Sequence, residues 1–165
     1  MMVQSHSRTD LGVGRLLLQK GLTLSVCESC TAGMLAASIT SVAGSSAYFT
    51  GGIIAYADSV KSDVVRVKKT TLRRFGAVSA RAAQEMACGV RKITMTDVGV
   101  SITGIAGPSG GSARKPVGLV YIGVATGKAV TVRRCMFKGN RSAIRRAAVR
   151  RALLSLRETL GRSAS

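Results

Sequence analysis

Acidic residues are scarce in this chain: 7 Asp and Glu stand against 25 Lys and Arg in 165 residues, a formal charge of +18. Tryptophan is absent, and three Phe with three Tyr are the whole aromatic complement. That scarcity argues against a stacking platform for single-stranded nucleic acid, which needs successive aromatic faces. The one histidine, His6, sits near the N-terminus, so no Ser-His-Asp triad is available. Two prolines and a hydrophobic share of 46% argue against a disordered chain. Long apolar runs are missing too. Residues 29–57 carry no charge, yet Gly, Ser and Thr interrupt them before an apolar run of about 20 can form. The apolar stretch 11–26 is broken by Arg15 and Lys20, and no small-residue cleavage pattern follows it. Neither a secretory leader nor a membrane partner is therefore expected.

Cysteine is the next limited resource. Cys27 and Cys30 have a CxxC spacing, while Cys88 and Cys135 stand apart. One pair without a second is weak evidence for zinc, so no metal is expected. A thioredoxin-like redox turn is a lesser alternative, because Glu28 and Ser29 are an odd filling for it. Reduced thiols in a cytoplasmic protein fit a chain without an export signal. The length suits one domain that buries its own core. That domain is expected over 10–161, with a disordered segment over 1–9 and a tail over 162–165.

Apolar periodicity predicts a helix over 10–19, capped by Asp10 and stopped by Gly21, then a strand over 22–27. A helix over 31–40 and a strand over 51–56 follow. Short helices are expected near 59–65 and 70–75. Ser79 caps a longer one, where Ala82, Ala83, Met86, Ala87 and Val90 make a buried stripe. Residues 98–103, 117–125 and 129–137 read as strands, the last two as a hairpin, and 141–160 as the final helix. This order predicts a single-domain α/β sandwich of three layers, a mixed β-sheet with helices on its faces.

Small and polar residues gather at the predicted strand ends. Cys27-Glu28-Ser29-Cys30-Thr31 joins a strand to a helix, where Ser29 or Thr31 either caps the helix or faces an anion beside its free N–H groups. A buried Glu28 needs a partner to offset its desolvation. Tyr56 ends a strand and Lys61 opens a helix, so both can face one cleft, although a lone helical lysine is more often solvated. Thr103 leads into Gly104-Ile105-Ala106-Gly107-Pro108, a loop whose backbone N–H groups can hold a phosphate or an oxyanion. It is neither a Walker loop nor a dinucleotide fingerprint. On the last helix Arg141 and Arg145 share the apolar arc of Ile144, Ala148 and Leu156, whereas Arg146, Arg150 and Arg157 point away. An arginine on a buried arc needs an anion, which makes Arg141 and Arg145 candidates for a ligand phosphate.

Glu28-Ser29-Cys30-Thr31, Gly44-Ser45-Ser46, Gly51-Gly52-Ile53-Ile54-Ala55-Tyr56 with Lys61, Gly76-Ala77-Val78-Ser79, Thr103 to Pro108 and Lys115-Pro116-Val117-Gly118 occur in one order. In that order they resemble the CinA C-terminal domain family, the nicotinamide-nucleotide amidases, over roughly residues 11–160. The resemblance implies a stand-alone amidase domain without the larger N-terminal domain of two-domain members. It implies hydrolysis of nicotinamide mononucleotide to nicotinate mononucleotide and ammonia, in pyridine nucleotide salvage, by a Ser/Lys dyad with no cofactor. It also implies a homo-oligomer.

Under that resemblance Ser29 matches the serine of the family's Glu-Ser-x-Thr segment and is the first candidate nucleophile. Ser46 is the second, or a proton relay. Lys61 is the family's lysine, and it activates the serine if burial and nearby cations favour the neutral amine. Tyr56 and Thr103 would hydrogen-bond the serine, the lysine or the amide. Glu28, Thr31, Ser45, Gly104, Ala106 and Gly107 would contact the substrate, and Arg141 or Arg145 would take its 5′-phosphate. The family's Gly-Asp-Arg reads Gly139-Asn140-Arg141 here, which keeps a helix cap and loses a charge. The alternative is a basic nucleic-acid-binding module on the same scaffold, resting on +18 and on pairs such as Lys68-Lys69, Arg73-Arg74 and Arg133-Arg134. It ranks lower, because the polar groups lie mainly in stretches free of charge.

Overall fold

The computed structural model describes residues 8–127 and 129–162. Its strands are β1 (Leu24–Glu28), β2 (Phe49–Ile54), β3 (Val98–Gly104), β4 (Leu119–Ala125) and β5 (Val130–Met136). They form one mixed sheet in the order β2-β1-β3-β4-β5. β1 runs parallel to both neighbours, and the β3–β4 and β4–β5 pairs are antiparallel. Helices α1 (Arg8–Lys20), α2 (Met34–Thr40) and α5 (Arg141–Arg162) cover one face; α4 (Ala80–Ile93), with α3 (Lys69–Phe75) beside it, covers the other. The three-layer α/β sandwich expected from the alternating pattern is the observed fold. Among the described residues no helix is long and apolar enough to cross a membrane.

Strand alternation splits the core in two. Leu24 and Val26 of β1 pack toward Leu17 and Leu156 on the α1/α5 side, while Cys27 packs toward Met86 and Val90 of α4. β3 is buried along nearly its whole length because helices cover both of its faces. On α5, Ile144, Ala148, Leu153, Leu156 and Leu160 are buried, and each large apolar side chain among them contributes about 1.5–3 kcal/mol. α4 presses close to the sheet: a Cβ at Gly123 would meet the Ala83 carbonyl oxygen at 2.7 Å, so glycine sets that approach.

Several boundaries differ from expectation. The chain is already helical at Arg8, so Asp10 lies inside α1 and does not cap it. The expected ends, 1–9 and 162–165, fall mostly outside the described residues; Arg8, Thr9 and Arg162 belong to helices. Residues 31–33 form a turn before α2, and Ser79 does cap α4, accepting from Ala82 N–H at 3.2 Å. In place of an α-helix over 59–65 there is a π-helical turn, Val60–Val64, closed by a Val65 N–H to Val60 carbonyl bond of 3.1 Å. Such wide turns often mark functional positions.

The topology decides where a ligand can enter. From β1 the chain passes through α2 to β2 on one side, then through α3 and α4 to β3 on the other. The two crossovers lie on opposite faces and leave a crevice beyond the carboxyl ends of the parallel strands, the usual ligand position in open α/β sheets.

Candidate active site

Three strand ends open into that crevice. Ser29 follows β1, Tyr56 follows β2 and Gly104 closes β3. They line a cleft of about 330 Å³ with Cys30, Asp58, Lys61, Ala77, Val78, Thr103, Ala106, Gly107 and Arg141. The Ser29 N–H donates to the Ile102 carbonyl at 2.9 Å and fastens the start of the β1–α2 turn to β3. Its hydroxyl makes no hydrogen bond among the described residues. Lys61, carried on the π-helical turn, is 2% exposed. Its Nζ donates to the Tyr56 carbonyl at 2.9 Å and to Asp58 Oδ1 at 3.3 Å.

The far wall is built from β3 and α5. After Gly104 the loop turns at Gly107, whose φ of +75 and close approach to Val117 exclude a larger residue without rearrangement. The N–H groups of Ala106 and Gly107 bond to no acceptor among the described residues, so this loop presents free donors. Arg141 is the first residue of α5, placed there by Asn140, whose Oδ1 accepts the Ala143 N–H at 2.9 Å. From that position Arg141 donates to the Gly107 carbonyl at 2.9 Å and to the Tyr56 hydroxyl at 3.3 Å. One guanidinium thus ties the loop to the β2 exit. The family model for the CinA C-terminal domain matches residues 7–160.

The chain belongs to the CinA C-terminal domain family.

A Desulforudis audaxviator protein named as competence-damage inducible is 49% identical over 152 residues, covering 92% of this chain and 37% of that protein. A CinA-like protein of Kosmotoga olearia is 50% identical over 151 residues, with coverages of 87% and 37%. The chain spans about a third of the length of these curated relatives (37%). Among solved structures, a CinA superfamily protein from Klebsiella pneumoniae superposes with a TM-score of 0.92 at 33% identity, covering 96% of this chain and 99% of that one. CihA of Agrobacterium tumefaciens gives 0.87 at 38% identity, covering 93% and 95%.

Within this CinA domain the residues singled out from sequence divide into two sets. Ser29, Tyr56, Lys61, Thr103, Gly104, Ala106, Gly107 and Arg141 share the cleft. Ser45 and Ser46 do not join it. They form a 3₁₀ turn just before β2, at the end of the sheet where Leu24 pairs with Phe49. Tyr56 lies beyond the opposite end of β2, which at the usual rise spans about 17–20 Å. Glu28 also turns away: its carboxylate accepts the Leu35 and Ala36 N–H groups at 3.0 and 2.9 Å and so caps α2. The cap expected from Ser29 or Thr31 comes instead from the residue that ends the preceding strand.

Thr31 and Arg145 belong together behind the cleft. Arg145 Nη2 donates to the Thr31 carbonyl at 2.7 Å, tying α5 to the turn that carries Ser29. Between the two arginines proposed for a phosphate, only Arg141 lines the cleft. Thr103 faces it too, but its hydroxyl donates to the Ala77 carbonyl at 2.9 Å and braces the segment before α4. The thiols of Cys27 and Cys30 sit in separate core clusters on opposite faces of the sheet. Burial pushes them up to about 12 and about 11, despite nearby Lys61 for the first and Arg145 and Arg141 for the second. Neither offers the thiolate that a redox pair requires. Asp58 was not singled out by any motif. Its signal was only its place three residues before Lys61, within one turn's reach.

Proposed function

We propose that this cleft hydrolyses the carboxamide of nicotinamide mononucleotide, releasing ammonia and nicotinate mononucleotide. The observation that carries the proposal is that a buried lysine, an unengaged serine hydroxyl and a guanidinium line one cleft. Ser29 Oγ attacks the carboxamide carbon as Lys61, in its neutral form, takes the hydroxyl proton. To do so the amine must release Asp58 and turn to Oγ. The tetrahedral oxyanion then needs donors, for which the free Ala106 and Gly107 N–H groups are suited. Collapse expels ammonia as Lys61 returns the proton to the leaving nitrogen, leaving an ester on Ser29. A water molecule, deprotonated by the same amine, hydrolyses that ester and restores the serine. Arg141 holds the phosphate at the distance set by the ribose, and the same chemistry suits related pyridine nucleotides.

The test is ammonia release from nicotinamide mononucleotide by the wild-type chain and by Ser29→Ala and Lys61→Gln. Each variant should lose about 100-fold or more in kcat while its circular dichroism is retained. Wild-type turnover in both variants would overturn the dyad. Absence of ammonia release from the wild type would overturn the activity itself.

A further inference from the structure

The amidase reading leaves one wall residue with charge to spare. Asp58 is the one carboxylate on the described lining of the cleft, and its side chain is 62% exposed. Five further acids are engaged elsewhere: Glu28 by α2, Asp63 by Lys69, Glu85 by Arg81, Asp97 by Thr23, and Glu158 by Arg133 and Arg151. Only Oδ1 of Asp58 is bound to Lys61, and Oδ2 makes no hydrogen bond among the described residues.

The charges are laid out along Tyr56. Its carbonyl accepts from Lys61 Nζ beside Asp58, and its hydroxyl accepts from Arg141. The Lys61–Asp58 pair thus stands at the carbonyl end of Tyr56 and a guanidinium at the hydroxyl end; once Lys61 is in the neutral form that the amidase step requires, the first end is left negative. Nicotinamide mononucleotide has the opposite polarity over a similar span, a pyridinium cation joined through ribose to a phosphate. Without Asp58, the described lining would offer the ring charge no carboxylate, in a protein of net charge +18.

We infer that Asp58 is a specificity residue that selects a cationic pyridinium ring over a neutral one. The inference rests on the amidase reading. Once Lys61 is neutral and has turned to Ser29, the released Asp58 carboxylate attracts the ring nitrogen, while Arg141 takes the phosphate.

The experiment compares KM for nicotinamide mononucleotide with the competitive Ki of its dihydro form, which keeps the phosphate and carboxamide but has a neutral ring. In Asp58→Asn, KM should rise about three- to fivefold while Ki stays put, as expected for an exposed charge contact. Asp58→Glu should restore the wild-type KM/Ki ratio. An unchanged ratio in Asp58→Asn, with or without a fall in kcat, would overturn the inference and leave Asp58 as a partner of Lys61 alone. The amidase reading would survive that result. A wild-type protein that releases no ammonia would overturn both.

Discussion

Replacing Glu28 with Gln tests whether that carboxylate is a structural cap or a substrate contact. In the native protein the two oxygens accept one amide each, from Leu35 at 3.0 Å and Ala36 at 2.9 Å, and the side chain is 1% exposed. Glutamine has one carbonyl oxygen, so one N–H keeps an acceptor and the other meets an NH₂ group in a buried site. Losing one charge-assisted bond costs about 1.5–3 kcal/mol, and losing the negative charge at the start of α2 costs about 0.3–1 kcal/mol more. The sum is about 3 kcal/mol, which for a chain of this size lowers Tm by about 6–12 °C. Calorimetry and urea titration of wild type and Glu28→Gln, without substrate, measure it. A Tm unchanged within about 1 °C would refute the capping assignment, since a group used only for substrate would not alter the stability of the free protein.

The remaining predictions concern protons on other groups. Asp97 accepts the Thr23 N–H at 2.8 Å and the Thr23 hydroxyl at 2.7 Å, which hold its carboxyl below the usual carboxylate range. Its contribution is therefore present above the unfolded value of 3.8 and fades as pH falls through the lower folded one. Asp97→Asn should be about 1 kcal/mol less stable than wild type near neutral pH. In urea titrations at a series of pH values that gap should close in acid; a constant gap would contradict the assignment. Burial keeps the Cys27 and Cys30 thiols protonated to about 12 and 11, whereas unfolded thiols ionise near 9.0. Iodoacetamide near pH 8 should therefore spare both in the folded protein and label them in urea, as read by peptide mass spectrometry. The same raised values mean that their stabilising effect is lost as pH climbs above 9.0, because the unfolded chain then releases protons that the native one retains.

Much of the architecture was legible because it depends on local periodicity. The stripe of Ala82, Ala83, Met86, Ala87 and Val90 gave α4 its buried face, and the outward arginines 146, 150 and 157 are exposed as their helical positions require. The strand-end position of Tyr56, Thr103 and Gly104 likewise marked the cleft, since polar residues at the ends of buried strands need a reason to be there. The errors share a cause. Ser46 and Tyr56 are ten residues apart in the chain, and nothing local says that the strand between them carries them to opposite ends of the sheet. Glu28 was recognised as needing a partner, but the amides of Leu35 and Ala36 become that partner only once α2 folds back over β1.

Residue type and spacing alone determined the α/β class, the buried faces of the helices and the residue kinds that could act: a serine without a histidine, a lysine beside a strand end, and a glycine-rich loop. Those properties follow from each residue's own backbone period and chemistry. Strand order was decided only in three dimensions. Placing β1 between β2 and β3 brings Ser29, Lys61 and Gly107 to one crevice and sends Ser45 and Ser46 to the other end. Which of two nearby arginines faces the cleft was decided there too, because a single helical turn separates Arg141 at the mouth from Arg145 against the Thr31 carbonyl.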